Sequence, residues 1–207
     1  MRWTEVPADP IEPHITTFTM RRVNPLALRP EDICIEDIAH HLATINRWVG
    51  AAREPINVAI HSIHVSRLLD GTGWELEGLL HDAPEAYLGD MSRWVKRHPS
   101  MQAFRDAEDR AWLVICEALS LRHELPKIVK DADSLMVRFE AQESFGSECH
   151  LFQQPTHPEP TTIERQLVQY AQPWRPWGWR QSETLFLERF QQLSRSRSKA
   201  TISGDRK

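Results

Sequence analysis

Apolar residues recur at helical spacing through most of this 207-residue chain, and runs of β-branched residues with period two are few. That pattern predicts an all-α fold. Pro30, Glu31 and Asp32 suit a first helical turn, and Ile35, Ile38, Leu42, Ile45 and Val49 continue it at helical spacing. A second helix is expected from Pro55, with Val58, His61, Val65, Leu68 and Leu69 on one face, ending at Gly71 and Gly73. A third covers about 74–88 and stops near Gly89, and longer periodic stretches follow at about 101–121 and 125–147. A last amphipathic helix, about 181–194, carries Leu185, Phe186, Leu187, Phe190 and Leu193.

The segments between and beyond these helices differ in kind. Residues 1–30 are rich in proline and threonine and read as an extended lead-in. Segment 150–178 holds five prolines and, with Trp179, the cluster Trp174, Trp177 and Trp179. So many tryptophans suit an ordered loop packed on the helices. Residues 195–207 read as a flexible basic tail. One domain, 31–194, is therefore expected between the lead-in and the tail.

A formal net charge of −4 argues against a protein that grips a nucleic-acid duplex through a broad basic surface, while leaving room for a small basic pocket. Cys34, Cys116 and Cys149 are odd in number, far apart and without a CxxC pair, so they read as reduced thiols. The start MRWTEVPADP lacks an apolar signal region, and no apolar run approaches membrane-spanning length. A cytoplasmic protein with no membrane contact is the expectation.

The chemistry concentrates in LLHDAPEAYLGD, residues 79–90. His81 and Asp82 are adjacent and can reach one ion at a helix edge, and Glu85 follows Asp82 by three positions, on the same side. Two ligands beside a third carboxylate suit metal-assisted hydrolysis, in which a bound ion polarises a phosphoryl oxygen and the acid handles a proton. One turn cannot complete a coordination sphere. His61, on the apolar face of the second helix, and Asp133, on a core-facing stripe with Val129, Ala132, Met136 and Val137, are the candidates from elsewhere. An aspartate on such a stripe needs a partner, because an isolated carboxylate is very costly to desolvate.

Plainer readings exist for each residue. His61 alone could be a hydrogen-bonded core histidine, Asp133 could pair with Arg138 or Lys130, and Glu85 could be a solvated acid. An HD dipeptide alone is common by chance. Their joint occurrence, in this order and on three helices, carries the signal.

That order, His61, then His81-Asp82, then Asp133, resembles the HD-domain phosphohydrolase superfamily. INRWVGAAREPINVAIHSIHVSRLL (45–69), LLHDAPEAYLGDMSRWVK (79–96) and VKDADSLM (129–136) are similar to the YfbR-type bacterial 5′-deoxynucleotidases and their phage relatives, including the phage dATP triphosphohydrolases. The resemblance implies an HD-domain helical bundle and covers about residues 31–145. It implies that His61, His81, Asp82 and Asp133 hold one divalent metal. It also implies that Arg47 grips the phosphate at the scissile bond, its fork suiting two phosphate oxygens. Trp48 would lie against the nucleoside. Glu85 would donate a proton to the departing 5′-oxygen or order the attacking water. Asp90 would help set the nucleophile or the sugar hydroxyl, and Lys96 would be a weaker phosphate contact. The VAxHS context selects His61 over His64, while Ile60 stands where the family usually has a polar residue, often Glu or Gln. His40 and His41 read as structural.

Two histidines and two aspartates make a site that suits Mn, Co, Ni, Fe or Zn. The expected reaction is hydrolysis of the 5′-phosphoester of a deoxyribonucleotide, dNMP to deoxynucleoside and phosphate. One alternative is cleavage of a dNTP at the same bond, releasing triphosphate. Another is an HD nucleotide-binding module without activity. The cyclic-dinucleotide branch needs further histidines and a GYP-like motif, neither of which is present. The expected partners are a deoxynucleotide and further copies of the chain, as a dimer or higher homo-oligomer.

Overall fold

The computed structural model describes residues 12–146, 162–170 and 178–204. They are mostly helical, as the apolar spacing predicts. In chain order the helices are α1 (Ile35–Thr44), α2 (Val58–Leu68), α3 (Glu75–Leu80), α4 (Glu85–Leu88), α5 (Arg93–Lys96), α6 (Gln102–Leu119), α7 (Lys127–Phe145), α8 (Thr162–Tyr170) and α9 (Trp179–Gly204).

Helix α2 is the axis of the molecule. Asn57 caps it, its Oδ1 accepting from the Ile60 N–H at 2.9 Å. Almost every residue of α2 is buried, so the helix is enclosed by neighbours instead of lying on a surface with one face inward. Val58, Ala59 and Ile63 join a core with Ile38 and Leu42 of α1, Leu79 and Leu80 of α3, Ile115 of α6 and Phe186 of α9. Val65, Leu68 and Leu69 join a second cluster with Val129, Ala132 and Met136 of α7 and Ile163 and Leu167 of α8. Helix α3 lies so close to α2 that a Cβ on Gly78 would meet the Leu69 side chain.

Several sequence expectations need correction. The first helix does not open at Pro30. Residues Pro30–Asp32 form a separate 3-10 turn, the chain extends at Ile33 and Cys34, and α1 starts at Ile35. Nor does α1 reach Val49. Ile45 is extended, the Arg47 N–H bonds Ile56 O at 2.8 Å and the Val58 N–H bonds Ile45 O at 3.0 Å. These bonds close loop 45–57 on itself, which leaves Val49 79% exposed. The second helix begins at Val58, not Pro55.

The expected helix 74–88 is broken at residues 81–84 because Pro84 has no N–H to donate and its ring crowds the Leu80 carbonyl four residues before. The break is bridged by bonds of three-residue span, Ala83 N–H to Leu80 O at 2.9 Å and Glu85 N–H to Asp82 O at 3.0 Å. That tighter winding brings residues three apart into line.

At the start of the chain, part of the extended lead-in is a small antiparallel hairpin, Ile15–Thr16 with Arg22–Val23. Buried Asp37 of α1 anchors it by accepting from the Thr19 N–H at 2.6 Å and Thr19 Oγ1 at 2.8 Å. At the other end, the basic tail expected from residue 195 is helical as far as Gly204. Its Arg197 donates to Glu77 Oε1 at 2.6 Å, and Glu77 is wholly buried. The buried acid requires cations, and the tail supplies one. Within the segment expected to be a loop, α8 is a helix buried through Ile163 and Leu167. Trp174, Trp177 and Cys149 lie outside the described residues. No helix among the described residues is long and apolar enough to cross a membrane.

Candidate metal centre and pocket

Three elements converge at one end of α2. His61 comes from α2, His81 and Asp82 from the Pro84 break, and Asp133 from α7. His61 Nε2 lies 3.2 Å from Asp133 Oδ1 and 3.6 Å from Asp82 Oδ2. His81 Nε2 lies 3.3 Å from Asp82 Oδ2 and 3.9 Å from Asp133 Oδ1. Donors held at roughly 2.0–2.2 Å from a shared ion stand about 3–3.5 Å apart, so three of these four spacings are near that range and the fourth is looser. His61, His81 and Asp82 form a group that could hold a metal ion, their ligand atoms lying within 4.8 Å of one another.

The imidazoles are oriented for that role. His61 Nδ1 bonds Glu140 Oε1 at 2.9 Å, and His81 Nδ1 bonds Gly78 O at 2.8 Å. With Nδ1–H as donor in each ring, the Nε2 lone pairs face Asp82 and Asp133. Both Nε2 atoms are buried and without a hydrogen-bond partner. Two buried lone pairs facing carboxylates are costly unless a cation lies between them.

Electrostatics point the same way. Burial and the Arg47 charge act to lower the His61 pKa, but Glu140 and Asp133 outweigh them and push it up to about 9. Burial would raise Asp82 and Asp133, yet the neighbouring histidines, with Arg47 at Asp82 and Arg93 at Asp133, hold both below the ordinary carboxylate range. The cluster thus draws positive charge, whether a proton on the ring or a metal ion in its place.

A cavity of about 500 Å³ opens beside the cluster, and Arg47, Trp48, Glu85, Asp90, Arg93 and Lys96 help to line it. Arg47 is nearly buried; its Nε bonds Glu140 Oε2 at 2.9 Å and its Nη1 lies 3.5 Å from Asp82 Oδ2. Trp48 packs edge-on against Phe145, and its indole N–H is buried without a partner. Trp48, Val49 and Gly50 all have positive φ, at 59°, 55° and 74°. For a β-branched residue such as Val49 that conformation is strained, and it persists because the bonds closing loop 45–57 impose it.

Glu85 sits in line with Asp82, buried, with Oε2 unpartnered and Lys96 Nζ 3.5 Å from Oε1. Burial, reinforced by Asp82 and Asp90 and opposed by Lys96 and Arg47, raises its pKa well above the usual value. Burial also raises Asp90. Lys96 bonds Glu108 Oε1 at 2.6 Å, an acid on α6.

Two residues at this site were not read from the sequence. Arg93 donates to Asp133 Oδ2 at 2.8 Å, so Asp133 finds neither Arg138 nor Lys130. Glu140 is wholly buried beneath His61. It stands seven residues after Asp133, two helical turns along the same stripe, so the argument that singled out Asp133 applied to it equally. It also answers the departure at Ile60. That side chain is wholly buried in the core, and the carboxylate orienting His61 comes from α7 instead. His64 is absent from the metal-holding group, and burial lowers its pKa to about 4. His40 stacks on Phe18 with ring centres 3.8 Å apart, and His41 bonds Phe18 N and Ala86 O, so both serve the packing of the hairpin.

The chain is 30% identical to YfdR of Escherichia coli K12 over 183 residues, which is 88% of this chain and 97% of that protein. It belongs to the YfdR family. A further relative, RCAP_rcc00048 of Rhodobacter capsulatus, is 37% identical over 142 residues, 61% of this chain and 70% of its own length. Both are uncharacterized proteins. No family model matches the chain.

Proposed function

We infer that this member of the YfdR family is a metal-dependent phosphohydrolase of the HD type, cleaving the 5′-phosphoester of a deoxynucleoside monophosphate. The observation that carries the reading is the pair of buried, unpartnered Nε2 atoms of His61 and His81 facing Asp82 and Asp133, two acids that line a pocket shared with Arg47, Arg93 and Lys96. Those four residues would hold one divalent ion, with Mn, Co, Ni, Fe and Zn as the metals the mixed N/O donor set suits. When bound, the ion would supply Lewis-acid polarisation of the phosphoryl group and a more acidic water.

The remaining work falls to the side chains. Arg47, fixed through its Nε, presents the rest of its guanidinium to phosphate oxygens. Glu85, whose pKa burial raises, donates a proton to the departing 5′-oxygen or orders the attacking water. Asp90 orients water or the sugar hydroxyl, Lys96 adds positive charge, and Trp48 offers a flat wall to the nucleoside. A second reading, release of triphosphate from a dNTP, breaks the same bond and draws further on Arg93, which lines the same pocket.

Metal analysis of the purified protein, then a panel of dNMPs and dNTPs assayed for phosphate, triphosphate and pyrophosphate, tests both. One equivalent of divalent metal and phosphate release from dNMPs supports the first reading; triphosphate release selects the second. His81→Ala and Asp133→Ala should lose metal and turnover together. A dNMP with pyrophosphate as products would place the attack at another bond and remove Arg47 from its assigned role.

A further inference from the structure

Among the described residues, Glu140 is the one wholly buried carboxylate that touches both His61 and Arg47. Its two oxygens are divided: Oε1 lies 2.9 Å from His61 Nδ1 and Oε2 lies 2.9 Å from Arg47 Nε. We propose that Glu140 is a positioning residue that couples the metal centre to the phosphate-holding Arg47. The proposal rests on the metal-dependent reading given above.

The coupling follows from the chemistry of one carboxylate serving two donors. As acceptor from Nδ1–H, Glu140 fixes His61 in the tautomer that leaves Nε2 free for an ion, and it raises the basicity of that ring. As acceptor from Nε–H at 2.9 Å, it holds the guanidinium back, leaving Nη1 3.5 Å from Asp82 Oδ2. Without Glu140 the His61 ring could turn, and Arg47 could collapse onto Asp82 and compete with the ion for it. Ordering either end of Glu140 therefore orders the other, and metal and phosphate should favour each other's binding by the same factor.

Glu140→Gln is the informative variant because glutamine has the same shape but only one acceptor oxygen. Whichever way its amide turns, its NH₂ meets either the His61 Nδ1–H or the Arg47 Nε–H. The experiment uses the full chain and two probes, Mn²⁺ and inorganic phosphate, with affinities measured by calorimetry and folding checked by circular dichroism.

Glu140→Gln is expected to bind Mn²⁺ about 10–100-fold more weakly. Its Mn²⁺-saturated form should also bind phosphate less tightly than wild type. Arg47→Ala should weaken phosphate binding, and adding Glu140→Gln to it should weaken phosphate no further, since the effect passes through Arg47. A purely structural role would lower stability without that pattern. Glu140→Asp keeps the charge but withdraws it by one methylene. It should fall between wild type and Gln, and it carries the test if the Gln variant does not fold. Wild-type affinities for both probes in Glu140→Gln, or full additivity with Arg47→Ala, would overturn the coupling while leaving the metal centre intact. A wild-type protein that binds no divalent ion would overturn the metal reading, and the coupling with it.

Discussion

The approach of α3 to α2 at Gly78 offers a direct measure of how tightly the scaffold of the site is built. Its backbone is helical, so alanine there should by intrinsic preference stabilise the helix by about 0.5–1 kcal/mol. The structure reverses that sign. A Cβ at Gly78 would overlap Leu69 Cδ1 and lie 3.4 Å from Ser66 Cα and 3.6 Å from Ser66 N. Leu69 would have to withdraw its methyl group by about 1 Å to restore an ordinary carbon–carbon separation. It is wholly buried among Val65, Leu68 and the α7 residues, so it has no open space to enter. Overpacking of this kind costs about 1–3 kcal/mol. Set against the helical gain, the net loss should be about 0–2.5 kcal/mol, a fall of up to roughly 10 °C in melting temperature for a chain of this size.

Thermal and urea denaturation followed by circular dichroism read the effect. Leu69→Ala alone should cost about 2–5 kcal/mol, and Gly78→Ala added to it should cost nothing further or restore stability, because the clashing methyl is gone. The same perturbation reaches the site, since Gly78 O is the acceptor that orients His81 at 2.8 Å. Gly78→Ala protein should therefore also bind metal more weakly. A Gly78→Ala protein that melts higher than wild type, by the amount of the helical preference, would refute the close packing on which this reasoning depends.

Phe186 is wholly buried between α9 and the main core, so Phe186→Ala should cost about 3–5 kcal/mol in the same denaturation assay. Burial opposes ionisation of Glu77, but bonds from Arg122 and Arg197 override it and hold its pKa down to about 2. A depressed folded pKa means that this contribution is complete above the ordinary value near 4.5 and is lost as pH falls toward 2. Wild type should thus lose melting temperature over that window more steeply than Glu77→Gln; parallel curves would remove Glu77 from the acid response. Glu85→Gln should keep its metal, measured by elemental analysis, while turnover falls by about 10²–10⁴, the range for acid–base work. Loss of metal in that variant would make Glu85 a ligand instead.

What was legible in the sequence was local and periodic. Helical spacing marked α1, α2, α6, α7 and α9 because burial along a helix repeats every three to four residues whatever the neighbour is. Chemical type raised His61 and Asp133 as candidates, since ionisable side chains within apolar stripes require partners wherever the stripes pack, and the resemblance joined them to the adjacent His81 and Asp82.

Other features depended on distant segments. The spacing of Asp82 and Glu85 put them on one side from the start, but only the docked chain shows that the break at Pro84 is wound by three-residue bonds. The left-handed Trp48 and Val49 exist because loop 45–57 is closed by bonds from Ile45 and Ile56, and no propensity foretells a strained valine. Which partner each charge finds was likewise decided by tertiary structure. Asp133 meets Arg93 across 40 positions, Glu140 meets Arg47 across 93, and Glu77 meets Arg197 across 120. Residue type establishes that a buried charge must be answered; only the packing of helices far apart in sequence decides which residue answers it.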